Sequence, residues 1–456
     1  MDLAHWLGRA LADHNEWAHS HGGRVTHPAT GVLEHDLEDA YSELARRLGG
    51  SYPFFHPRYA GQMLKPPHDV AVLGYLAAML VNPNNHALDG GPATTALEEE
   101  SVAQLGAMFG FEAPLGHLTS SGTIANLEAL FVARESHPDR AVAFSSEAHY
   151  THARMCRLLG IETRIVPVDV AGRMDASALR EILTDGSVGT VVATAGTTGL
   201  GAVDPVHDIV VAAHSAGARV HVDAAYGGFF RLLCDHPSGL LEDPRPWHAI
   251  SLCDSVVVDP HKHGLQPYGC GAVLFADREA SRFFHHDSRW TYYSSRQTHL
   301  GEISLECSRS GASAAALWLT LKMFPLTADG LGAVLAAGRR AALRWADMLA
   351  ASEFYDLYQR PELDIVTYIP RTEERRISAI DRASQQVFDR AAADAVDPIF
   401  LSMLQVDSRD VCKLMPDVRE DKPQMRLLRS ALMKPEFESY VPRLHRKLES
   451  IASGVS

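Results

Sequence analysis

Lys262 closes the tetrapeptide Asp259-Pro260-His261-Lys262, which follows the apolar, strand-like run Ser255-Val256-Val257-Val258. Asp223, 39 positions upstream, lies in a second strand-like run, His221-Val222-Asp223-Ala224-Ala225. A lysine at a strand end can form a Schiff base with an aldehyde. It does so only when its amine is neutral, and a free lysine with a pKa near ~10.4 is mostly charged at neutral pH. Burial and a nearby cation favour the neutral form. A buried carboxylate can hold a protonated pyridine nitrogen, a shift of about 1–3 pKa units or roughly 1.4–4 kcal/mol. Alone, Lys262 reads first as a surface residue after a turn, and Asp223 has the alternative of capping a neighbouring loop. Together they are the two protein groups that pyridoxal 5'-phosphate (PLP) chemistry requires.

Further groups fall into place around that pair. His149 opens a helix-like segment after Val142-Ala143-Phe144-Ser145-Ser146-Glu147-Ala148. Its imidazole can stack on a cofactor ring and offer a polar edge to a substrate carboxylate, although a lone histidine is also a common structural residue. Phosphate binding is expected at Leu118-Thr119-Ser120-Ser121-Gly122-Thr123-Ile124-Ala125-Asn126, where small residues before a helix leave backbone N–H groups free for an anion. The same pattern also starts many ordinary helices. Thr197-Thr198, in Ala195-Gly196-Thr197-Thr198-Gly199-Leu200-Gly201, offers a second contact, and neither a full dinucleotide fingerprint nor a P-loop motif is present there. His285-His286-Asp287 lacks a third ligand at useful spacing, so no metal site is expected.

The elements that must position these residues alternate. Strand candidates cover residues 141–145, 163–168, 190–195, 218–225, 255–259 and 271–275, with helical patterns at 123–133, 149–159, 177–183 and 206–216 between most of them. That alternation implies βαβ units and a mostly parallel sheet covered on both faces, with ligands beyond the carboxyl ends of the strands. Residues 1–65 read as a mainly helical N-terminal segment, with Leu33, Leu37, Ala40, Tyr41, Leu44 and Leu48 at helical spacing. Residues 66–325 read as a large α/β domain, and 326–456, opening on a helix at 333–351, as a small C-terminal α+β domain.

The net charge of −14 speaks against a general nucleic-acid or anionic-membrane partner. No apolar run approaches the roughly 20 residues of a membrane span. Met1-Asp2-Leu3-Ala4-His5 lacks the basic start and apolar stretch of a signal peptide, and the six cysteines are scattered without a Cys-x-x-Cys pair. A cytoplasmic enzyme with free thiols is the expectation.

From about His56 to about Pro435 the chain resembles the group II pyridoxal-dependent decarboxylases, which have the aspartate-aminotransferase-like fold (PLP-dependent transferase fold type I). The resemblance is carried by His221-Val222-Asp223-Ala224-Ala225-Tyr226-Gly227-Gly228 and Asp259-Pro260-His261-Lys262, with support from Thr197-Thr198, Ser308-Arg309-Ser310-Gly311 and Pro92-Ala93-Thr94-Thr95. It implies Lys262 as the Schiff-base lysine, Asp223 as the ring-nitrogen partner and His149 as the stacking residue, opposite Ala225. It further implies Ser121, Gly122, Thr123 and His261 at the phosphate, with Asn126 nearby, and Thr198 near the ring hydroxyl. The compact stretch after Phe275 is similar to archaeal-type tyrosine/aspartate decarboxylases. It leaves Tyr292 and Tyr293 as candidates to protonate the substrate α-carbon. Ser120-Ser121-Gly122-Thr123 departs from the family's more usual Ser-Gly-Gly-Thr.

The reading is therefore PLP-dependent decarboxylation of an L-amino acid, with an aromatic substrate favoured and a homodimer whose interface forms the site. Gln62, His86 and Arg426 are the substrate-contact candidates, Arg426 for the carboxylate. Glu98-Glu99-Glu100 is expected on a solvated helix face. The alternatives are a PLP-dependent carbon–carbon lyase or oxidative decarboxylase, or a non-catalytic protein that keeps the fold.

Overall fold

The structure is a computed structural model that describes residues 1–285 and 299–454. Its larger sheet holds seven strands: β1 (Leu115–Thr119), β2 (Ala141–Ser145), β3 (Thr163–Val166), β4 (Val188–Thr194), β5 (Arg219–Asp223), β6 (Ser255–Val258) and β7 (Gly271–Phe275). They lie in the order β1-β7-β6-β5-β4-β2-β3. β2 through β6 pair in parallel, whereas β7 runs antiparallel to both β6 and β1. Two reversals return β1 to the direction of β6, so the carboxyl ends of β1, β2, β4, β5 and β6 share one edge.

Burial explains the strand composition. Every residue of β2, β4, β6 and β7 is buried, as expected for a sheet covered on both faces, and valine fills much of that interior. The anticipated strands all form, with ends shifted by a few residues. β1 was not anticipated as a strand, because Leu118-Thr119 read as the approach to an anion-binding turn.

A second, four-stranded antiparallel sheet lies toward the C-terminus, with β8 (Tyr355–Gln359), β9 (Ile365–Pro370), β10 (Ser402–Asp407) and β11 (Gln424–Ala431) in the order β10-β11-β9-β8. The long helix Leu331–Ala350 packs across it. Trp345 meets Tyr368 at 5.2 Å between ring centroids, in a core of its own with Tyr355 and Phe437. The chain at Ala60 joins this part too, its backbone bonding to Phe400 and Ala431.

Two regions depart from expectation. The helices Leu3–Ser20 and Glu34–Leu48 form at the N-terminus but bury no residue, and Leu37, Tyr41, Leu44 and Leu48 are each at least half exposed. Their helical spacing makes an apolar stripe without a core beneath it. Glu98 is not solvated: it is 2% exposed, accepts the Leu118 N–H of β1 at 2.9 Å and the Asn85 amide at 2.6 Å, and lies 3.5 Å from Arg309. Those partners come from distant segments and compensate the burial of its charge. Glu99 and Glu100 do face solvent.

All six cysteines are unpaired, and no helix among the described residues is long and apolar enough to cross a membrane.

Candidate active site

The shared strand edge opens into a cleft of about 460 Å³, and every residue named above for the cofactor lines it: Ser121, Gly122, Thr123, Asn126, His149, Thr198, Asp223, Ala225, His261 and Lys262. They arrive from the carboxyl ends of five strands, β1, β2, β4, β5 and β6. Ser121 caps the helix Gly122–Ser136 just after β1, and its Oγ accepts the Ile124 N–H at 3.3 Å. The first N–H groups of any helix lack intrahelical partners. Those of Gly122 and Thr123 are left over here as donors for an anion. A Cβ at Gly122 would stand 2.6 Å from Asp259 Oδ2, so a larger residue there would force that carboxylate to move.

Asp223 ends β5. Its Oδ2 accepts from His152 Nε2 at 2.8 Å and its Oδ1 from the Ala225 N–H at 3.1 Å. Burial pushes this carboxyl up, but the His152 hydrogen bond and the charge of Lys262 outweigh it and hold it well below the ordinary carboxylate range. His221, two residues earlier on the same strand face, is spent on Ser255 and Asn126, both at 2.9 Å. Burial pushes its imidazole down to about 3, so it is a neutral pillar beneath the site.

Lys262 Nζ lies 3.1 Å from Asp259 Oδ2 and is partly open to the cleft. His261 Nδ1 donates to the Cys270 carbonyl, 2.8 Å away; a carbonyl can only accept, so Nδ1 carries the proton. His149 is half-buried, with Nδ1 2.8 Å from Thr151 Oγ1 and its ring 4.2 Å from that of Tyr150. Burial lowers its pKa, Asp223 opposes that and Lys262 adds to it. Asn126 is committed on both ends of its amide, to Gly122 O at 2.9 Å and to His221, so it braces the anion-binding turn.

The other candidates are not brought to the cleft. Gln62 is exposed, and His86 packs against Gly301. Arg426, on β11, pairs with Asp381 through Nε at 2.8 Å and Nη2 at 2.9 Å, which corrects its assignment to the substrate carboxylate. Three positions along a strand reverses the face. Arg429 therefore points toward the large sheet, donating to the carbonyls of Thr198 and Gly199, both at 2.8 Å. Tyr292 and Tyr293 lie outside the described residues.

Sequence reasoning missed His152, Asp259, Tyr268 and Arg429. His152 sits three residues beyond His149, but nothing in that spacing named its partner Asp223. A larger cleft of about 590 Å³ near Trp247 contains arginines already paired with carboxylates, Arg173 with Asp169 and Arg245 with Asp243, and none of the chemistry above.

PLP fits the residues present. Asp223 uses two hydrogen bonds of the roughly four a carboxylate can accept, Asp259 Oδ1 is buried without a partner among the described residues, and a helix N-terminus suited to phosphate opens on the same cleft. The family model of the pyridoxal-dependent decarboxylase conserved domain matches residues 55–369. The L-tyrosine decarboxylase of Enterococcus faecium is 26% identical over 91% of this chain and 88% of its own. A probable L-tyrosine/L-aspartate decarboxylase of Methanothrix thermoacetophila is 31% identical over 65% of this chain and 73% of its own. Mouse CSAD has the same fold, with a TM-score of 0.80 at 21% identity, over 99% of this chain and 98% of that one. This is the mostly parallel fold type I architecture, and a family match across residues 55–369 makes the chain a member of the pyridoxal-dependent decarboxylases, acting on amino acids with PLP as cofactor.

Proposed function

We propose that this decarboxylase removes the α-carboxylate of an L-aromatic amino acid and acts as a homodimer. The observation that carries the reading is the convergence of Lys262 and Asp223 on one cleft beside a helix N-terminus. When bound, PLP supplies an aldehyde carbon for an amine and a ring that takes up the electron pair left as carbon dioxide departs. Lys262 Nζ, at the cleft, would be the amine that holds the cofactor's aldehyde carbon. Asp223 keeps the proton of the ring nitrogen in place. His149 and Ala225, both lining the cleft, would hold the ring between them. Ser121, the N–H groups of Gly122 and Thr123, and His261 would hold the phosphate, with Asn126 bracing their turn, and Thr198 would serve the ring hydroxyl. His149, kept neutral by burial, orients the substrate carboxylate. Protonation of the α-carbon falls to Tyr292 or Tyr293, or to His149 through a water.

The aromatic preference is supported by the cleft lining. Among the described residues Lys262 is its single lysine or arginine, so an acidic side chain finds no second cation, whereas the exposed rings of Tyr150 and Tyr268 stand at the cleft. The test is a screen of the protein amino acids with added PLP, following carbon dioxide, amine, ammonia and aldehyde together. Equal amounts of carbon dioxide and amine from an aromatic amino acid, with no ammonia, are expected. Release from aspartate alone would overturn the substrate; aldehyde with ammonia would overturn simple decarboxylation.

The homodimer is supported by the uncovered stripe of Leu37, Tyr41, Leu44 and Leu48, since a contiguous exposed apolar patch on a water-facing helix calls for a partner. Sedimentation should give twice the chain mass, and Leu37→Glu with Leu44→Glu should return it to one.

A further inference from the structure

His152, on the helix Thr151–Leu159, is the side chain hydrogen-bonded to Asp223, yet the reaction above gives it no task. We infer that His152 is a positioning residue: its Nε2–H, donated to Asp223 Oδ2, keeps the shared proton on the cofactor's ring nitrogen and off the carboxylate. The inference rests on the reading of Asp223 as the ring-nitrogen partner.

His152 is fully buried, and its Nδ1 has no hydrogen-bond partner among the described residues. Its ring lies 5.9 Å from that of Phe144, in apolar surroundings that include Cys156. An imidazolium would bury a second N–H with nothing to accept it. The Nδ1–H tautomer would leave the same orphan and also set two lone pairs against each other across the 2.8 Å contact with Asp223. Only the Nε2–H tautomer gives Asp223 a donor and leaves no buried N–H unpaired.

A carboxylate this deep takes up a proton more readily than one in water, because burial penalises its charge. Facing a pyridinium, Asp223 would then draw the proton toward itself and leave a neutral ring, a weaker acceptor of electrons. A hydrogen bond to the charged form acts in the opposite sense. The remaining neighbours do not replace it: the Ala225 N–H serves the other oxygen, His221 is occupied by Ser255 and Asn126, His149 by Thr151, and Lys262 by Asp259. Because His152 N–H bonds to the His149 carbonyl at 3.0 Å, one turn of chain fixes both the residue at the cleft and the residue behind the carboxylate.

The test uses the holoenzyme loaded with PLP isotopically labelled at its ring nitrogen, read by nitrogen NMR alongside kinetics. The wild type should show a pyridinium. His152→Leu should move the signal toward neutral pyridine and lower kcat about 10- to 100-fold, as one to two pKa units would, with KM changed far less. His152→Gln, whose side-chain N–H can take the place of Nε2–H, should restore the signal and most of kcat. A pyridinium and unchanged kcat in His152→Leu would overturn the inference. Asp223→Ala separates the layers: a pyridinium persisting there would defeat the reading of Asp223 itself, whereas a neutral ring there with a pyridinium in His152→Leu defeats only the role of His152. Histidine NMR on the wild type needs no variant, and a protonated Nδ1 on His152 would be equally fatal.

Discussion

Two carboxylates drawn well below their ordinary range, Asp223 at the edge of the large sheet and Asp381 on the small domain, are held in different ways. Asp223 is buried against that penalty by an imidazole, a backbone N–H and the charge of Lys262. Asp381 is lowered first by its hydrogen bonds with Arg426, then by Lys422, with burial opposing. Its Oδ1 accepts the backbone N–H and the Nε of Arg426, both at 2.8 Å; its Oδ2 accepts Arg426 Nη2 at 2.9 Å and Lys422 Nζ at 2.6 Å. Four donors fill the four acceptor sites of Asp381, whereas Asp223 keeps half its capacity and turns it to a cleft. A low pKa therefore does not distinguish a working carboxylate from a structural one. Unused acceptor capacity inside a concave site does.

The cleft side of the comparison breaks most completely at Lys262. Lys262→Ala should lower turnover by on the order of 10³-fold or more and remove the yellow absorbance of a lysine-linked cofactor. Borohydride trapping followed by peptide mapping checks it directly: label on any peptide other than the one carrying residue 262 ends the assignment. Asp223→Ala ranks next. It should still form the lysine linkage but lose about 10- to 1000-fold in kcat, the equivalent of the 1–3 pKa units a nearby carboxylate gives a cation. The same substitution at Asp381 should leave kcat within about threefold, since Asp381 touches nothing in the cleft. Equal losses at the two positions would erase the distinction drawn above.

A smaller effect sharpens the electrostatics beneath the site. His221 is pushed down to about 3 by burial first, with Arg219 adding to it and Asp223 opposing. The unfolded chain takes up a proton there near pH ~6.5 while the native fold refuses it, so this residue's contribution to stability falls as pH drops from about 6.5 toward 3. His221→Asn removes that term. Its cost in unfolding free energy should therefore be largest above pH ~6.5 and shrink on acidification, as measured by denaturant melts at several pH values. A cost that grows with acid would mean His221 is charged in the fold.

What the chain disclosed in advance follows from the range over which each feature is encoded. Lys262 and Asp223 were legible because each sits at the end of a short apolar run, and the run itself fixes where the side chain emerges. His149 and the turn at Ser121-Gly122 shared that advantage. His152 was hidden because its meaning depends on Asp223, 71 positions away, which only the β2–β4–β5 order brings within reach. Glu98 looked solvated because its partners, Leu118, Asn85 and Arg309, lie on three other segments. The stripe on Glu34–Leu48 was legible as a helix face but not as an uncovered one, since periodicity reports which side is apolar and not what lies against it.

Arg426 was misplaced for the simplest reason, the two-residue period of a strand. A guanidinium near the end of β11 looked able to reach a substrate carboxylate, but choosing between positions 426 and 429 means knowing which face of β11 meets the large sheet. Position 426 faces away. There its guanidinium is partly exposed and its partner Asp381 retains Lys422. Arg426→Ala should therefore give the smallest effect of the set: a loss of about 1 kcal/mol or less in stability, weaker still at high salt, and kcat and KM within about twofold of wild type. A tenfold rise in KM for that variant would restore Arg426 to the substrate. It would also mean that the ion pair with Asp381 opens during turnover, and the contrast between the two carboxylates would then describe two states of one site.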